Sequence, residues 1–340
     1  MKKKVALFLV LAMVMFAFAA CGGGAAEETP DTTGAVQTGL AIINSAAKSV
    51  DAGEANGAAQ ADSLVIAVTV DDAGIIVNCA IDSAQTKIEF SKEGKIVTPL
   101  DTIFVAKQEL GADYGMGKAS PIGKEWNEQA TAFSNYVIGK TIDEVKGIAV
   151  NEEGVPSGDD LKSSVTIHIG DFIKGVEKAV ANAQDLGATA DDILGIGIVT
   201  NIARSTDAAE EDGVAEAYSY YTATTFKTDG VITSSIIDAS ITDVTFSKEG
   251  KITSDINAEI NTKNELGDAY GMKKASAIGK EWNEQAAAFA QYIVGKTMDD
   301  VKGIAINEEG APTGDDLKSS VTVHITDFTT ILEKAFNAAK

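Results

Sequence analysis

The chain has 340 residues and a formal net charge of −22 at neutral pH, from 28 Lys and Arg against 50 Asp and Glu. This length is enough for two ordinary domains, and a hydrophobic content of 45% with only five prolines indicates a globular protein. The acidic balance argues against nucleic acid as a partner, because nucleic acid is bound through Lys and Arg. Two cysteines and two histidines cannot build a zinc ribbon or an iron–sulfur centre. We therefore expect no metal site, and any redox chemistry would need a bound organic cofactor.

The first twenty residues have the pattern of a bacterial export signal. Three lysines at positions 2–4 precede an apolar run over residues 5–20, which is too short for a comfortable membrane span. The pair of alanines directly before Cys21 resembles a lipobox, the site at which a bacterial lipoprotein is cleaved and lipidated. We predict a signal peptide over residues 1–20 and a lipidated, flexible tether over residues 21–37. An ordinary secretory signal with an incidental cysteine is the alternative.

Most of the remaining chain consists of two copies of one unit. A shift of 156 residues aligns residues 39–172 with residues 195–328 without a gap. The heptapeptides Gly-Lys-Glu-Trp-Asn-Glu-Gln and Phe-Ser-Lys-Glu-Gly-Lys-Ile occur in both copies, beginning at Gly123 and Phe90 in the first. A repeat of this length is a domain rather than a solenoid unit. We predict homologous domains over residues 38–183 and 194–340, joined by a linker over residues 184–193.

Alternating apolar residues predict that each copy begins with β-strands. In the first copy, residues 64–70 and 75–81 flank an Asp-Asp-Ala-Gly turn and predict a β-hairpin, and residues 87–90 predict a third strand. Further along, residues 165–169 alternate apolar and polar side chains. This alternation predicts another strand, with Thr166 and the following histidine on its polar face.

The segments between these strands have the spacing of helices. Four apolar residues from Trp126 to Val137 lie on one face of a predicted helix, which Gly139 ends. Thr141 is expected to cap a short helix that follows, and Asp171 to cap the last helix of the copy. Strands first and helices later predict α+β domains, each a mostly antiparallel sheet with packed helices.

No familiar catalytic signature is present in the sequence, which contains no HExxH, P-loop, GxSxG, CxxC or GxGxxG pattern. The segment that stands out is residues 158–168, repeated at 314–324, in which an acidic turn precedes small hydroxyl residues. A threonine that another protein must modify needs small neighbours and an exposed face, and this pattern provides both. The candidate residues are Ser163, Ser164, Thr166 and His168, with Ser319, Ser320, Thr322 and His324 in the second copy.

Residues 160–166, Asp-Leu-Lys-Ser-Ser-Val-Thr, are similar to the flavinylation motif of FMN-binding domains, D-x-x-S/T-G-A-T/S. The last threonine of that motif carries FMN through a phosphodiester bond. This sequence departs from the motif at Ser164 in place of Gly and at Val165 in place of Ala. The whole repeat, with its Tyr-Gly-Met, Gly-Lys-Glu-Trp and Gly-Lys-Thr segments, resembles the FMN-binding domain lipoproteins of Gram-positive extracellular electron transfer, the PplA-like type.

The resemblance implies that Thr166 and Thr322 each carry one covalent FMN. An exported, FAD-dependent flavin transferase would attach it, as the threonine hydroxyl attacks the FMN phosphorus and AMP leaves with Mg²⁺ stabilising the charge. A lipid anchor would hold the protein on the extracytoplasmic face of the cell membrane. There it would take electrons from a membrane quinone or NADH dehydrogenase and pass them to soluble flavins or ferric iron. Such a protein is an electron carrier more than an enzyme with its own substrate, so we assign no catalytic residue.

Aromatic, thioether and imidazole side chains near these segments each have two possible roles. The tyrosines and methionines of the Tyr-Gly-Met segments line a flavin pocket or pack their own loop. The histidines contact the flavin phosphate or ring, or are solvated. These residues are Tyr114, Met116 and His168 in the first copy and Tyr270, Met272 and His324 in the second.

Three further kinds of residue have a structural interpretation that we favour. Trp126 and Trp282 lie on apolar helix faces, so core packing is favoured over stacking on a flavin. Asp159 and Asp160 are expected to form a turn rather than to guide Mg²⁺. Cys79 has no partner if Cys21 is lipidated, and it is expected to be a buried structural cysteine.

Two other function classes stay open at this point. The main alternative is a non-redox surface lipoprotein, a ligand-binding or adhesion module whose duplicated domains recognise a small ligand or a wall component. A flavin-dependent reductase is the third, because the sequence is compatible with a substrate pocket beside the flavin.

Overall fold

The computed structural model describes residues 34–339. The predicted signal peptide, Cys21 and most of the predicted tether therefore lie outside the described residues. Within them, the chain folds into two halves with the same order of main elements, each a three-stranded antiparallel sheet followed by helices. This arrangement confirms the predicted α+β class and the two similar copies.

The first half begins with a meander of three strands. β1 (Gln37–Ser45) pairs with β2 (Gly57–Val70), which pairs with β3 (Ile76–Phe90), both antiparallel. Four helices follow, with a 3₁₀ turn at Gly111–Tyr114 after the first of them. These helices are α1 (Lys107–Leu110), α2 (Trp126–Val137), α3 (Ile142–Lys146) and α4 (Gly170–Ala181).

The second half repeats this order. Its strands are β4 (Ile193–Asn201), β5 (Gly213–Phe226) and β6 (Ile232–Phe246), paired in that order. Its helices are α5 (Lys263–Leu266), α6 (Trp282–Ile293), α7 (Met298–Lys302), α8 (Asp315–Lys318) and α9 (Thr326–Ala338), with a 3₁₀ turn at Gly267–Tyr270. The segment equivalent to α8 forms turns in the first half.

Helices α2 and α4 pack on their sheet and close the first core. The ring centroids of Trp126 and Phe172 lie 5.9 Å apart in an edge-to-face arrangement, and those of Phe133 and Phe172 lie 5.4 Å apart. Trp126 is only 7% exposed and its counterpart Trp282 only 3%. Both tryptophans therefore pack in a core, the role that the sequence favours.

The helix boundaries predicted around α2 and α3 are confirmed. α2 begins at Trp126 and ends before Gly139, and the side chain of Thr141 caps α3. Asp171 does not cap α4, because it lies in the first turn, where it pairs with Lys174 at 3.0 Å. An acidic residue in the first turn is stabilised by the helix dipole, so the sequence signal resembles that of a capping residue.

The predicted hairpin is present, but residues 87–90 are not a separate strand. β3 runs without a break from Ile76 to Phe90 and carries the buried Asp82 in its middle. Aspartate is rare inside strands, so the alternation weakens there in the sequence. The Asp82 carboxylate accepts the backbone N–H groups of Ser83 and Gln108, and these hydrogen bonds allow the strand to continue.

The strand predicted at residues 165–169 is wrong, because this segment is irregular. Its alternation of burial is present, with Val165 and Ile169 fully buried. The backbone, however, bonds to groups other than a neighbouring strand. The Ile169 N–H donates to the Gly154 carbonyl, and the Thr166 N–H donates to a side chain of α2.

The two halves pack against each other through equivalent residues. The repeated turn at residues 91–95 contacts the second half, and its counterpart contacts the first. The Ala208 N–H donates to the Gly94 carbonyl, and the Ala52 N–H donates to the Gly250 carbonyl, both at 2.8 Å. Residues from Gly34 onward accordingly form one compact unit.

Aromatic rings and ion pairs extend this contact. Phe90 and Phe246 are both fully buried, and their rings stack with centroids 4.3 Å apart. They belong to an apolar cluster that draws on both halves, so part of the core is shared. Two ion pairs at equivalent positions also join the halves, Lys334 with Glu109 and Lys178 with Glu265.

Phe90→Ala is expected to destabilise the whole unit rather than the first half alone. Loss of a buried aromatic ring costs about 3–5 kcal/mol, and this ring packs on both halves. Unfolding in guanidinium chloride, followed by tryptophan fluorescence and circular dichroism, should show one transition at a lower denaturant concentration. Ile103→Ala, at a residue that is 85% exposed, is the control and should change little. Two transitions of which only one moves would contradict a shared core.

Candidate functional site

The threonines at the end of the flavinylation-like motifs are each bonded to a glutamine of the preceding long helix. The Thr166 N–H and O–H both donate to Gln129 Oε1, at 2.8 and 3.2 Å. In the second copy, the Thr322 N–H and O–H donate to Gln285 Oε1, at 2.7 and 3.1 Å. Both threonines are half-buried. The same arrangement thus occurs independently in both copies.

The glutamine itself is fully buried and held in one orientation. The Gln129 Nε2 group donates to Ser120 Oγ and to the Lys124 carbonyl, both at 3.1 Å. Its oxygen therefore faces the Thr166 segment. Gln129 and Gln285 were not predicted from the sequence as functional residues. The available signal was their position at the end of the Gly-Lys-Glu-Trp-Asn-Glu-Gln heptapeptide in each copy.

The oxygen of the Thr166 hydroxyl accepts no hydrogen bond from the described residues. The hydroxyl group donates one hydrogen bond, to Gln129 Oε1, and the lone pairs of Oγ1 stay available. On the preceding side, Leu161 and Val165 are buried in the core and anchor the loop that ends at Thr166. Val165, which replaces the Ala of the motif, is thus a packing residue while Thr166 stays partly accessible.

The Tyr-Gly-Met loop is fastened to the same end of α2. The N–H groups of Met116 and Gly117 donate to the two carboxylate oxygens of Glu125, each at 2.7 Å, and Glu125 flanks the first turn of α2. Tyr114 and Met116 are half-buried against the first core. In the second copy, Glu281 accepts the N–H groups of Met272 and Lys273 in the same way, each at 2.8 Å, and Tyr270 packs on the second core.

The structure therefore brings three separated segments of each copy to one end of one helix. These are the Tyr-Gly-Met loop, the heptapeptide that opens the helix and the loop that carries the threonine. Both connections in the first copy are made by hydrogen bonds to Glu125, which directly precedes α2, and to Gln129 in its first turns.

The serines and aspartates around the threonine have local roles. Ser164 Oγ donates to the Leu161 carbonyl at 3.1 Å, as Ser320 does to Leu317, while Ser163 and Ser319 are exposed. The Tyr136 hydroxyl donates to Asp160 at 2.6 Å and lowers the pKa of that carboxyl, and Asp159 pairs with Lys162. These aspartates are turn residues in the structure, as the sequence favours.

His168 and His324 are exposed two residues after each threonine. We predicted that each histidine lies on the same strand face as the threonine. This prediction is wrong, because the segment is not a strand. His324 lies close enough to Asp327 for a positive charge on its ring to lower the pKa of that carboxyl, although burial raises this pKa overall.

A buried lysine distinguishes the second copy. Lys263 is 2% exposed, and its ammonium group lies 4.4, 4.3 and 4.9 Å from the ring centroids of Tyr218, Tyr270 and Trp282. Its Nζ also donates to the Tyr218 hydroxyl. Burial and, to a lesser extent, the positive charge on Arg204 together lower the pKa of Lys263 to about 7.

The first copy has a more open version of this arrangement. Lys107 is half-buried and lies 4.6 Å from the centroid of Tyr114 and 5.0 Å from that of Trp126. Asp62 stands where the second copy has Tyr218, and it pairs with Lys48 at 2.7 Å instead. The aromatic loops of the two candidate sites therefore have different electrostatic surroundings.

Cys79 is free and half-buried on β3, and burial raises the pKa of its thiol to about 12. Within residues 34–339, no three His, Cys, Asp or Glu side chains gather as metal ligands. No helix in that range combines the length and apolarity that a membrane crossing requires.

The comparisons with known proteins give limited information. No family profile matches the chain, and no solved structure matches it. A 41-residue segment is 51% identical to part of a protein named chlorophenol reductase from Desulfitobacterium hafniense. This match covers 12% of the present chain and 12% of that protein, so it assigns neither family nor activity.

Lys263→Met is expected to stabilise the protein more at pH 6 than at pH 10. The pKa of Lys263 falls from 10.5 to about 7 on folding, so between these values the unfolded chain binds a proton that the folded chain does not. The charged Lys263 therefore lowers the free energy of unfolding by its full amount below about pH 7. This destabilisation decreases as the pH rises towards about 10.5. Since one pKa unit corresponds to about 1.4 kcal/mol, the difference should be of the order of 2–4 kcal/mol.

Urea unfolding of the wild type and of Lys263→Met at both pH values measures this difference. Lys107→Met, at the equivalent position, is the matched control. A change in unfolding free energy for Lys263→Met that is equal at the two pH values would contradict the lowered pKa of Lys263 in the folded protein.

Proposed function

We propose that the protein is a membrane-anchored, extracytoplasmic electron carrier with one FMN attached covalently to Thr166 and one to Thr322. The observation that carries this proposal is the arrangement found in both copies. In each, a buried glutamine holds the threonine hydroxyl, and no described residue donates to the hydroxyl oxygen. The resemblance to FMN-binding domain lipoproteins supplies the class of cofactor.

The surroundings of Thr166 fit a phosphodiester. Formation of the Oγ1–phosphorus bond breaks the pyrophosphate bond of FAD, releases AMP and frees the hydroxyl proton. The Gln129 oxygen then loses one donor but keeps the Thr166 N–H at 2.8 Å, so it is not left without a partner. The buried side chains of Leu161 and Val165 hold the loop in place for the exported transferase.

The neighbouring residues fit the remainder of FMN. Tyr114 and Met116 present half-buried aromatic and thioether groups for contact with the flavin ring. α4 begins at Gly170, four residues after Thr166, without a side-chain cap, so the positive end of its dipole favours a phosphate near this position. When bound, FMN supplies one- and two-electron transfer, and the chain orients it and limits access to it.

The remaining parts of the proposal follow from the sequence. A lipid on Cys21 would hold the protein at the membrane, with the residues between Cys21 and Gly34 as the tether, because Val36 and Gln37 already belong to the folded unit. The donor would be a membrane quinone or NADH dehydrogenase, and the acceptors would be soluble flavins or ferric iron. Covalent attachment suits this location, because a dissociated cofactor would be lost by dilution. The competing function is a non-redox binding or adhesion module.

Protein produced together with an exported flavin transferase is expected to be yellow and heavier by two FMN units. Thr166→Ala and Thr322→Ala should each remove one unit, and the double variant should carry none. Intact mass spectrometry and flavin fluorescence of the denatured protein measure this. Ser163→Ala, at an exposed neighbour, is the control and should keep both units. An unmodified wild-type mass would refute covalent attachment, and absence of any bound flavin would favour the non-redox module.

Gln129→Ala is expected to slow the modification of Thr166 and leave that of Thr322 unchanged. The variant removes the acceptor that orients the Thr166 hydroxyl, and loss of one such hydrogen bond corresponds to about a five- to tenfold lower rate. A time course of the two modified peptides by mass spectrometry measures both rates in one sample, so the Thr322 site is an internal control. Equal rates at the two sites would mean that Gln129 only supports the fold.

A further inference from the structure

A cavity of about 520 Å³ lies between the two halves, away from both threonines. Residues of β3, α1 and α2 line it from the first half, and residues of β4 and α9 line it from the second. Its walls combine apolar side chains, among them Ile81, Leu194 and Ile196, with polar ones such as Thr131 and Asn135. This volume is within the range of small-molecule sites.

Asp82 places a buried carboxylate in this cavity. The residue is 6% exposed, and its Oδ1 accepts the N–H groups of Ser83 at 2.7 Å and Gln108 at 2.9 Å. No described residue donates a hydrogen bond to Oδ2. The nearby ammonium group of Lys334 is bonded to both carboxylate oxygens of Glu109, at 2.6 and 2.9 Å. The cavity therefore holds a buried carboxylate without a cationic partner among the described residues, next to the apolar side chains of Ile81, Leu194 and Ile196.

Asp238, the counterpart of Asp82 in the second half, has a hydroxyl group beside it that Asp82 lacks. Asp238 also accepts two backbone N–H groups, from Ala239 and Asn264. Burial raises the pKa of Asp238, but the Thr262 hydroxyl lies close enough to its carboxylate to counteract this rise. In the first half, Ala106 occupies the position of Thr262 and has no hydroxyl to offer. One substitution between the copies thus leaves the Asp82 oxygen uncovered.

A second substitution keeps the first cavity open. The equivalent cavity beside Asp238 is only about 270 Å³, and on its first-half wall the Asn182 amide donates to the Leu40 carbonyl at 3.1 Å. The position equivalent to Asn182 is Ala338, whose methyl group makes no such bridge. Both differences act in the same direction, because each removes a polar group that would fill or satisfy the cavity.

We propose that this cavity binds a small organic cation, a primary ammonium or an amidinium group, whose N–H donates to Asp82 Oδ2 while its apolar part packs on Ile81, Leu194 and Ile196. A buried carboxylate is stable when it is paired and hydrogen-bonded, and the protein supplies only half of its partners. A neutral alcohol fits the same space but leaves the charge unpaired. The proposed cation site does not involve the flavin, so it can be tested independently of the proposed electron carrier.

The charge on Asp82 makes the binding dependent on pH. Burial raises the pKa of Asp82 to about 6, so the carboxyl is mainly ionised at pH 7.5 and mainly protonated at pH 5. The other titratable groups that face it are Glu109 and Lys334, which neutralise each other, and Cys79, whose thiol has a pKa of about 12. We therefore expect weaker binding at pH 5.

The test uses the mature chain from residue 21 with Cys21→Ser, prepared without a flavin transferase. Benzamidine and hexylamine are titrated by calorimetry and by thermal shift, with benzyl alcohol and hexanol as neutral controls. The wild type should bind the cations with one site per chain and not the alcohols. Ala106→Thr, which supplies the hydroxyl that the second half already has, should weaken binding at least about tenfold, as should Asp82→Asn. Asp238→Asn is the matched control and should bind as the wild type does.

A gain of binding is expected as well. The double variant Thr262→Ala and Asn182→Ala gives the smaller cavity the residues that line the larger one at both positions, so it should bind two cations per chain. The thermal midpoint of each variant without ligand shows whether it is folded. The proposal is overturned if no cation binds at about 10 mM, if the alcohols bind equally well, or if Ala106→Thr and Asp82→Asn both keep wild-type affinity while folded.

Discussion

The stacking of Phe90 on Phe246 is the contact on which the arrangement of the chain depends. β3 and β6 are each 15 residues long, and the helices of their own half cover only the first part of each strand. The last residues of each strand have one apolar face, formed by Ile88 and Phe90 in β3 and by Val244 and Phe246 in β6, and this face would meet water in an isolated copy. Each end is covered by the other, so the cores of the two halves continue into one another.

The duplication allows one copy to be compared directly with the other. The contacts that fasten the two loops to α2 and to α6 are the same in both copies, down to the partner atoms. The surroundings differ. Lys107 is half-buried while Lys263 is enclosed by three aromatic rings, and Ala106 replaces Thr262 beside the buried aspartate. The two copies thus share the hydrogen bonds that hold the threonine, but they differ in the charged and polar side chains nearby.

Local signals explain what could be predicted from the sequence. α2 and α3 could be placed because an apolar stripe, a capping threonine and terminal glycines act within a few residues of each other. The alternation at residues 165–169 predicted a strand, because buried and exposed side chains can alternate in an irregular loop as well. The bond between Gln129 and Thr166 spans 37 residues, and no local pattern contains it.

The candidate site could be predicted in part. The threonines and the Tyr-Gly-Met loops are visible as motifs, whereas the glutamines that connect them resemble ordinary polar residues of a helix. The contact between the halves could not be predicted either, because a repeat in the sequence is equally compatible with two independent domains. The repeated turn at residues 91–95 carries glycines with positive φ, 69° at Gly94, which indicates a turn but not its partner.

The reciprocal hydrogen bonds of Ala52 with Gly250 and of Ala208 with Gly94 have the form of an isologous interface, in which each side offers the same groups to the other. Two separate subunits with this interface would form a homodimer, and dilution would dissociate it. Because both copies belong to one chain, their pairing is intramolecular and does not depend on protein concentration. The chain is in this sense a dimer that remains assembled as a single molecule at any dilution.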